Sequence, residues 1–138
     1  MLNDVLEDQA DLTLVDMEAG LEHLSRSGGT LAYADVLLVV MEPTRKSVLT
    51  AARTVALADE LGIPKCLALG NKAASGDAQF FAEACEEYAV EMIGVIPLDA
   101  AVAAADRSGI SVVNVAAADA RAAVEALVDQ LQMLDLPR

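Results

Sequence analysis

The sequence predicts an α/β domain, a three-layer sandwich in which a mostly parallel sheet carries helices on both faces. Three observations lead there. Short runs of branched and aliphatic residues alternate with stretches that repeat at helical spacing, the pattern of strand–helix–strand units with right-handed crossovers. Val36-Leu37-Leu38-Val39-Val40 is apolar without alternation, as expected of a strand covered on both faces. The 138 residues suit one domain, and no repeat, linker or low-complexity tract divides them, so residues 1–138 are read as a single unit.

The elements follow in order. Leu12-Thr13-Leu14-Val15 reads as a first short strand ending at Asp16, and Val36–Val40 as the second. A helix should start near Thr44, capped by Thr44 or Ser47, with Val48, Ala51, Val55 and Ala58 on one face. Gly62, with Pro64 just beyond, should end it. Leu67-Ala68-Leu69 is a third strand. A helix from near Asp77 places Phe81, Ala84, Cys85 and Tyr88 on one stripe, which puts Cys85 in the core. Ile93-Gly94-Val95-Ile96 is a fourth strand and Ser111-Val112-Val113 a short fifth. The last helix should dock through Val124, Leu127, Val128 and Leu131.

Composition excludes several classes of function. Hydrophobic residues make up 55% of the chain, far too many for disorder. The longest strongly apolar run, Val36 to Met41, falls well short of the roughly 20 residues of a spanning helix. The first residues carry neither the basic nor the apolar region of a signal peptide, so a soluble, cytoplasmic protein is expected, with no membrane partner. With 22 acids against 9 bases the net charge is −13, which argues against binding nucleic acid. Cys66 and Cys85 form no CxxC or CxC pair, and read as small apolar residues rather than metal ligands.

In an open parallel sheet, ligands bind beyond the carboxyl ends of the strands. After the first strand come Asp16 and, four residues on, Gly20, a spacing that suits a hydrated Mg²⁺ and a close backbone approach to a phosphate. After the second comes Glu42-Pro43-Thr44-Arg45-Lys46-Ser47, whose two bases could face a phosphate or an acid on a partner. After the third come Asn71 and Lys72, which can read a purine through the Asn amide and the Lys stem. The acid that would complete a guanine-reading motif is replaced by Ala74. After the fourth come Pro97, Leu98 and Asp99, where backbone groups could flank a base or Asp99 could simply cap a helix.

The order of these groups carries more than any one of them. Asp16 to Gly20, then Val39-Val40-Met41-Glu42-Pro43, then Asn71-Lys72, then Ile93-Gly94-Val95-Ile96-Pro97 resembles the MinD/ParA-like deviant P-loop ATPases. Within them the likeness is greatest to CooC-type ATPases, maturation factors for carbon monoxide dehydrogenase. The phrase that carries it runs from Val15 to Leu24, followed by Arg26 and Thr30, and is extended by Asp99 and by Ala105 to Gly109. The resemblance implies ATP/ADP and Mg²⁺ as cofactors, ATP-coupled dimerisation, and service to a nickel enzyme as client. It implies that Asp16 is the Walker B acid, holding Mg²⁺ through water, and Gly20 the switch II glycine. Glu18, Glu22 and His23 would belong to the switch region, Asn71 and Lys72 would contact adenine, and Pro97, Leu98 and Asp99 would line the base pocket.

The chain departs from that family in one decisive respect. A Walker A loop needs GxxxxGK[ST], whose backbone amides and Lys hold the phosphates, and no Gly-Lys pair occurs in this sequence. The family's CxC pair is also absent, and Arg26 precedes Ser27-Gly28-Gly29-Thr30 where the family reads a shorter Arg-Gly-Thr. The resemblance places the Walker A strand between the strands at Leu12–Val15 and Val36–Val40, so its loss would leave two inner strands with unpaired edges. The expectation is the C-terminal part of a CooC-like ATP-binding protein that does not hydrolyse ATP alone. It would either self-associate as a homodimer or pair with a complementary Walker A-containing chain. The rival readings are a non-catalytic dimerisation or docking module, and a stand-alone binder of millimolar affinity that contacts the base only.

Overall fold

The computed structural model describes residues 12–17, 33–115 and 118–134. Among them the order is β1 (Val36–Met41), α1 (Arg45–Glu60), β2 (Lys65–Ala73), α2 (Asp77–Glu87), β3 (Met92–Pro97), α3 (Ala100–Arg107), a 3₁₀ turn (Val112–Asn114) and α4 (Asp119–Gln132). The three strands are parallel and lie in sequence order, β1-β2-β3, with Val36 opposite Lys65 and Met41 opposite Gly70.

Alternation along the central strand sorts its side chains between two helical layers. Ala68 joins Met41, Val48, Ala51, Phe81 and Cys85 in a core between the sheet and the pair α1–α2. Leu67 and Leu69 point the other way and pack with Ile93 against Leu127 and Leu131 of the last helix and Leu134 just beyond it. The sheet is thus covered on both faces and the expected α/β sandwich is realised. Phe81 is fully buried and Cys85 nearly so, as the helical stripe predicts. Gly70 explains how so large a ring fits: a Cβ there would lie 2.7 Å from two atoms of the Phe81 ring.

Helix ends are where the sequence signals were most explicit. Thr44 caps α1, its hydroxyl accepting from the Ser47 amide at 3.1 Å. The helix stops on a Schellman motif, with Ile63 N–H bonded to Ala58 C=O and Gly62 N–H to Asp59 C=O, both at 3.0 Å. The same motif ends α2, Val90 to Cys85 at 2.8 Å, but there the left-handed position is Ala89 at φ 53°.

Four expectations need correction. Leu12–Val15 is not a strand: residues 12–17 have no regular structure, and Leu12, Leu14 and Val15 are exposed. A strand exists only as part of a ladder, and among the described residues nothing pairs with this run; only Met17 reaches the core, beside Ile63. Ser111–Val113 is not a strand: Ser111 precedes a 3₁₀ turn over Val112–Asn114, closed by the Val115 amide on the Val112 carbonyl, and it joins no ladder among the described residues. Asn71 and Lys72 do not follow a strand but end β2, which runs on to Ala73. In the last helix Leu127 and Leu131 dock, whereas Val124 and Val128 are more than two-fifths exposed, because the contact face is the Leu127–Leu131–Leu134 stripe.

Candidate functional site

The carboxyl ends of the three strands bring together residues that lie far apart in sequence. Met41 is level with Gly70, and Ala73 with Pro97, so Glu42, Asn71-Lys72 and Leu98-Asp99 share one end of the sheet. The Leu98 amide donates to the Ala73 carbonyl at 2.9 Å, which fastens the Pro97–Asp99 loop against the end of β2. The Asn71, Lys72, Pro97, Leu98 and Asp99 of the sequence reading therefore do form one group.

Asn71 and Lys72 occupy a bulge. The three steps from Gly70 to Ala73 on β2 face only two steps from Val95 to Pro97 on β3. The extra residue is absorbed by Lys72, at φ 55°, a left-handed conformation that costs a non-glycine residue about 1 kcal/mol. Bulges re-aim side chains, and this one has two visible consequences. The Asn71 Oδ1 accepts the Lys72 amide at 2.9 Å, which leaves the Asn71 NH₂ as a donor. The Lys72 ammonium turns to the neighbouring strand and pairs with the Glu42 carboxylate at 2.5 Å.

Glu42 is the residue that sequence reading passed over. Local sequence assigns it no role, and only the parallel register that sets Met41 beside Gly70 brings it to the end of β2. Its backbone is fixed by two further bonds: its amide donates to the Ser47 hydroxyl at 2.9 Å, and its carbonyl accepts the Thr44 amide at 2.7 Å.

Asp99 is a helix cap on two helices at once. Its carboxylate accepts the Ala101 amide at 2.8 Å, at the start of α3, and the Ala120 amide at 3.1 Å, at the start of α4. These backbone donors, Ala120 first and Ala101 second, hold its pKa below the ordinary 3.8. Asp77 is similarly occupied, accepting the Ala74 amide at 2.8 Å. Asp99 therefore shapes the loop and its carboxylate faces the two amides, while the backbone of Pro97 and Leu98 is what the loop offers a ligand.

The phosphate and metal side of the reading is thinner. Asp16 is exposed in the irregular segment, and among the described residues no three His, Cys, Asp or Glu side chains are grouped to hold a metal. Glu18, Gly20, Glu22 and His23 lie outside the described residues. Burial pushes the half-buried Cys66 thiol up to about 11 and raises the Cys85 thiol too, so neither is a ready thiolate ligand. The bulge and the Pro97 loop thus present the Asn71 amide group and backbone carbonyls at one end of the sheet, while the sequence contains no GxxxxGK[ST] run to hold phosphates.

The parallel sheet with helices on both faces defines a MinD-like α/β fold. The MinD cell division protein of Aquifex aeolicus superposes with a TM-score of 0.65 over 78% of this chain and 48% of its own, at 19% identity. The chain is homologous to the carbon monoxide dehydrogenase accessory protein CooC of Rhodospirillum rubrum, with which it is 38% identical over 112 residues. It is likewise related to an uncharacterised ATP-binding protein of Methanocaldococcus jannaschii, 35% identical over 100 residues. These matches take in 80% and 72% of this chain but only 41% and 38% of the relatives, so the chain spans about two-fifths of their length. No protein-family profile matches it.

Proposed function

We propose that this chain is the C-terminal, base-reading part of a CooC-like ATP-binding protein that serves the maturation of a nickel enzyme in the cytoplasm. The observation that carries the reading is the joining of the Asn71–Lys72 bulge to the Pro97–Asp99 loop by the Leu98–Ala73 hydrogen bond, in a chain homologous to CooC. In this reading Asn71 donates to the purine edge and the loop backbone flanks the ring. Asp16 becomes the Walker B acid, and Gly20, Glu18, Glu22 and His23 the switch, only when a Walker A loop stands beside them. Hydrolysis therefore requires a Walker A loop beside this segment, from a longer form of the same polypeptide or from a complementary chain, and a homodimer of this segment alone would assemble without turnover. The test is to mix this chain with the Walker A-bearing portion of a CooC relative and follow phosphate release. Turnover should arise only in the mixture and be lost in Asp16→Ala. ATP hydrolysis by this chain alone, or a mixture no faster than its parts, would sink the proposal.

A second reading, a docking module without catalysis, is favoured by one observation. The outer edge of β1 has no partner among the described residues, and Val40 is 57% exposed on it. Such an edge invites strand addition or a covering element. If the mixture forms a complex without hydrolysing ATP, this second reading stands in place of the first.

A further inference from the structure

The ion pair at the end of β1 and β2 does more than close a surface gap. Lysines at strand ends near a nucleotide usually present their charge to phosphate. Here Lys72 is turned by a bulge and a left-handed backbone toward the adjacent strand, away from the Pro97–Asp99 loop on the other side of β2. Its ammonium meets Glu42 there. Glu42 in turn is anchored by the Ser47 hydroxyl and the Thr44 amide, so the acid is held at a fixed turn rather than swept along by the lysine. Both side chains remain more than half exposed, so the pair adds little to stability. A strained backbone that gains so little stability points to a role in recognition.

We infer that Glu42 is a specificity-determining residue of the base-reading end: by holding the Lys72 ammonium, it withholds that charge from phosphate and keeps the space between Asn71 and Leu98 clear for a neutral base. The inference rests on the reading of Asn71 and the Pro97 loop as a purine site. Its consequence is that this end of the sheet recognises a nucleoside, and that phosphate affinity must come from elsewhere. In a chain of net charge −13, a 5′-phosphate then contributes nothing to binding at this site, or opposes it.

The experiment titrates adenosine and AMP into the intact chain at low ionic strength and follows the backbone amides of Asn71, Lys72 and Leu98 by NMR. For the native chain AMP should bind no tighter than adenosine. In Glu42→Gln the freed ammonium should raise the affinity for AMP relative to adenosine by about two- to fivefold, an effect that added salt removes. Removing an acid also lessens general repulsion of AMP, so the control is Lys72→Met. In that background Glu42→Gln should leave the AMP-to-adenosine ratio almost unchanged. An equal gain with and without Lys72, or no gain in Glu42→Gln while adenosine still binds, overturns the role of Glu42 and spares the base site. If adenosine moves none of the three amides at tens of millimolar, the base site itself is wrong and the role of Glu42 falls with it.

Discussion

Gly70 and Asp99 show how much this structure depends on single contacts. Gly70 leaves room for the Phe81 ring, which a Cβ would approach at 2.7 Å through two of its atoms. The ring is fully buried and cannot swing away, so Gly70→Ala should cost about 1–3 kcal/mol, read as a lowered midpoint in denaturant at constant slope. Asp99 ties the starts of α3 and α4 together as a carboxylate. Its folded pKa is depressed, so its contribution is complete above the ordinary 3.8 and fades as the pH falls through the folded value. Stability measured from pH 7 down to the acid limit should therefore show a shallower fall below that point in Asp99→Asn than in the native chain. Both thiols should resist modification near neutral pH, Cys85 because it is buried and Cys66 because its pKa stands at about 11. Labelling with a thiol reagent should be slow until denaturant is added.

At the level of elements, the end of α2 supplies the plainest prediction. Its Schellman position is Ala89, at φ 53°, where α1 uses Gly62 at φ 76°. Ala89→Gly should relieve the left-handed strain and stabilise the chain by about 0.5–1 kcal/mol, visible as a raised melting temperature. This contrast also explains what was legible beforehand. Helix ends written in local chemistry were readable: Thr44 at the start of α1, and Gly62 with Pro64 at its end. So were stripes that bury, such as Phe81 with Cys85. Features set by pairing between distant segments were not. Leu12–Val15 has the composition of a strand, yet strand formation depends on a neighbour that local sequence does not reveal. The bulge at Asn71–Lys72 depends on the register of β3 against β2, and so does its pairing with Glu42. The residues of the proposed site are legible as an ordered series along the chain. Its geometry needed the sheet.

Across the molecule as a whole, an edge strand unpaired among the described residues lies beside the proposed site. The edge of β1 has no partner among the described residues, and Leu12, Leu14 and Val15 stand exposed nearby in sequence order. The chain spans 41% of its CooC relative, and its sequence contains the residues proposed to read a base without the GK[ST] loop that would grip phosphate. In the proposed reading, one component, a strand ending in a phosphate loop, would serve both the open edge of β1 and the phosphate side of the site. The most direct test is calorimetric titration of the isolated chain with ATP and Mg²⁺ beside adenosine. A Walker A site would lift ATP from millimolar to micromolar affinity, a difference of about 4 kcal/mol. ATP should bind no tighter than adenosine and should not be consumed. Micromolar binding of ATP by this chain alone, with turnover abolished in Asp16→Ala, would contradict it.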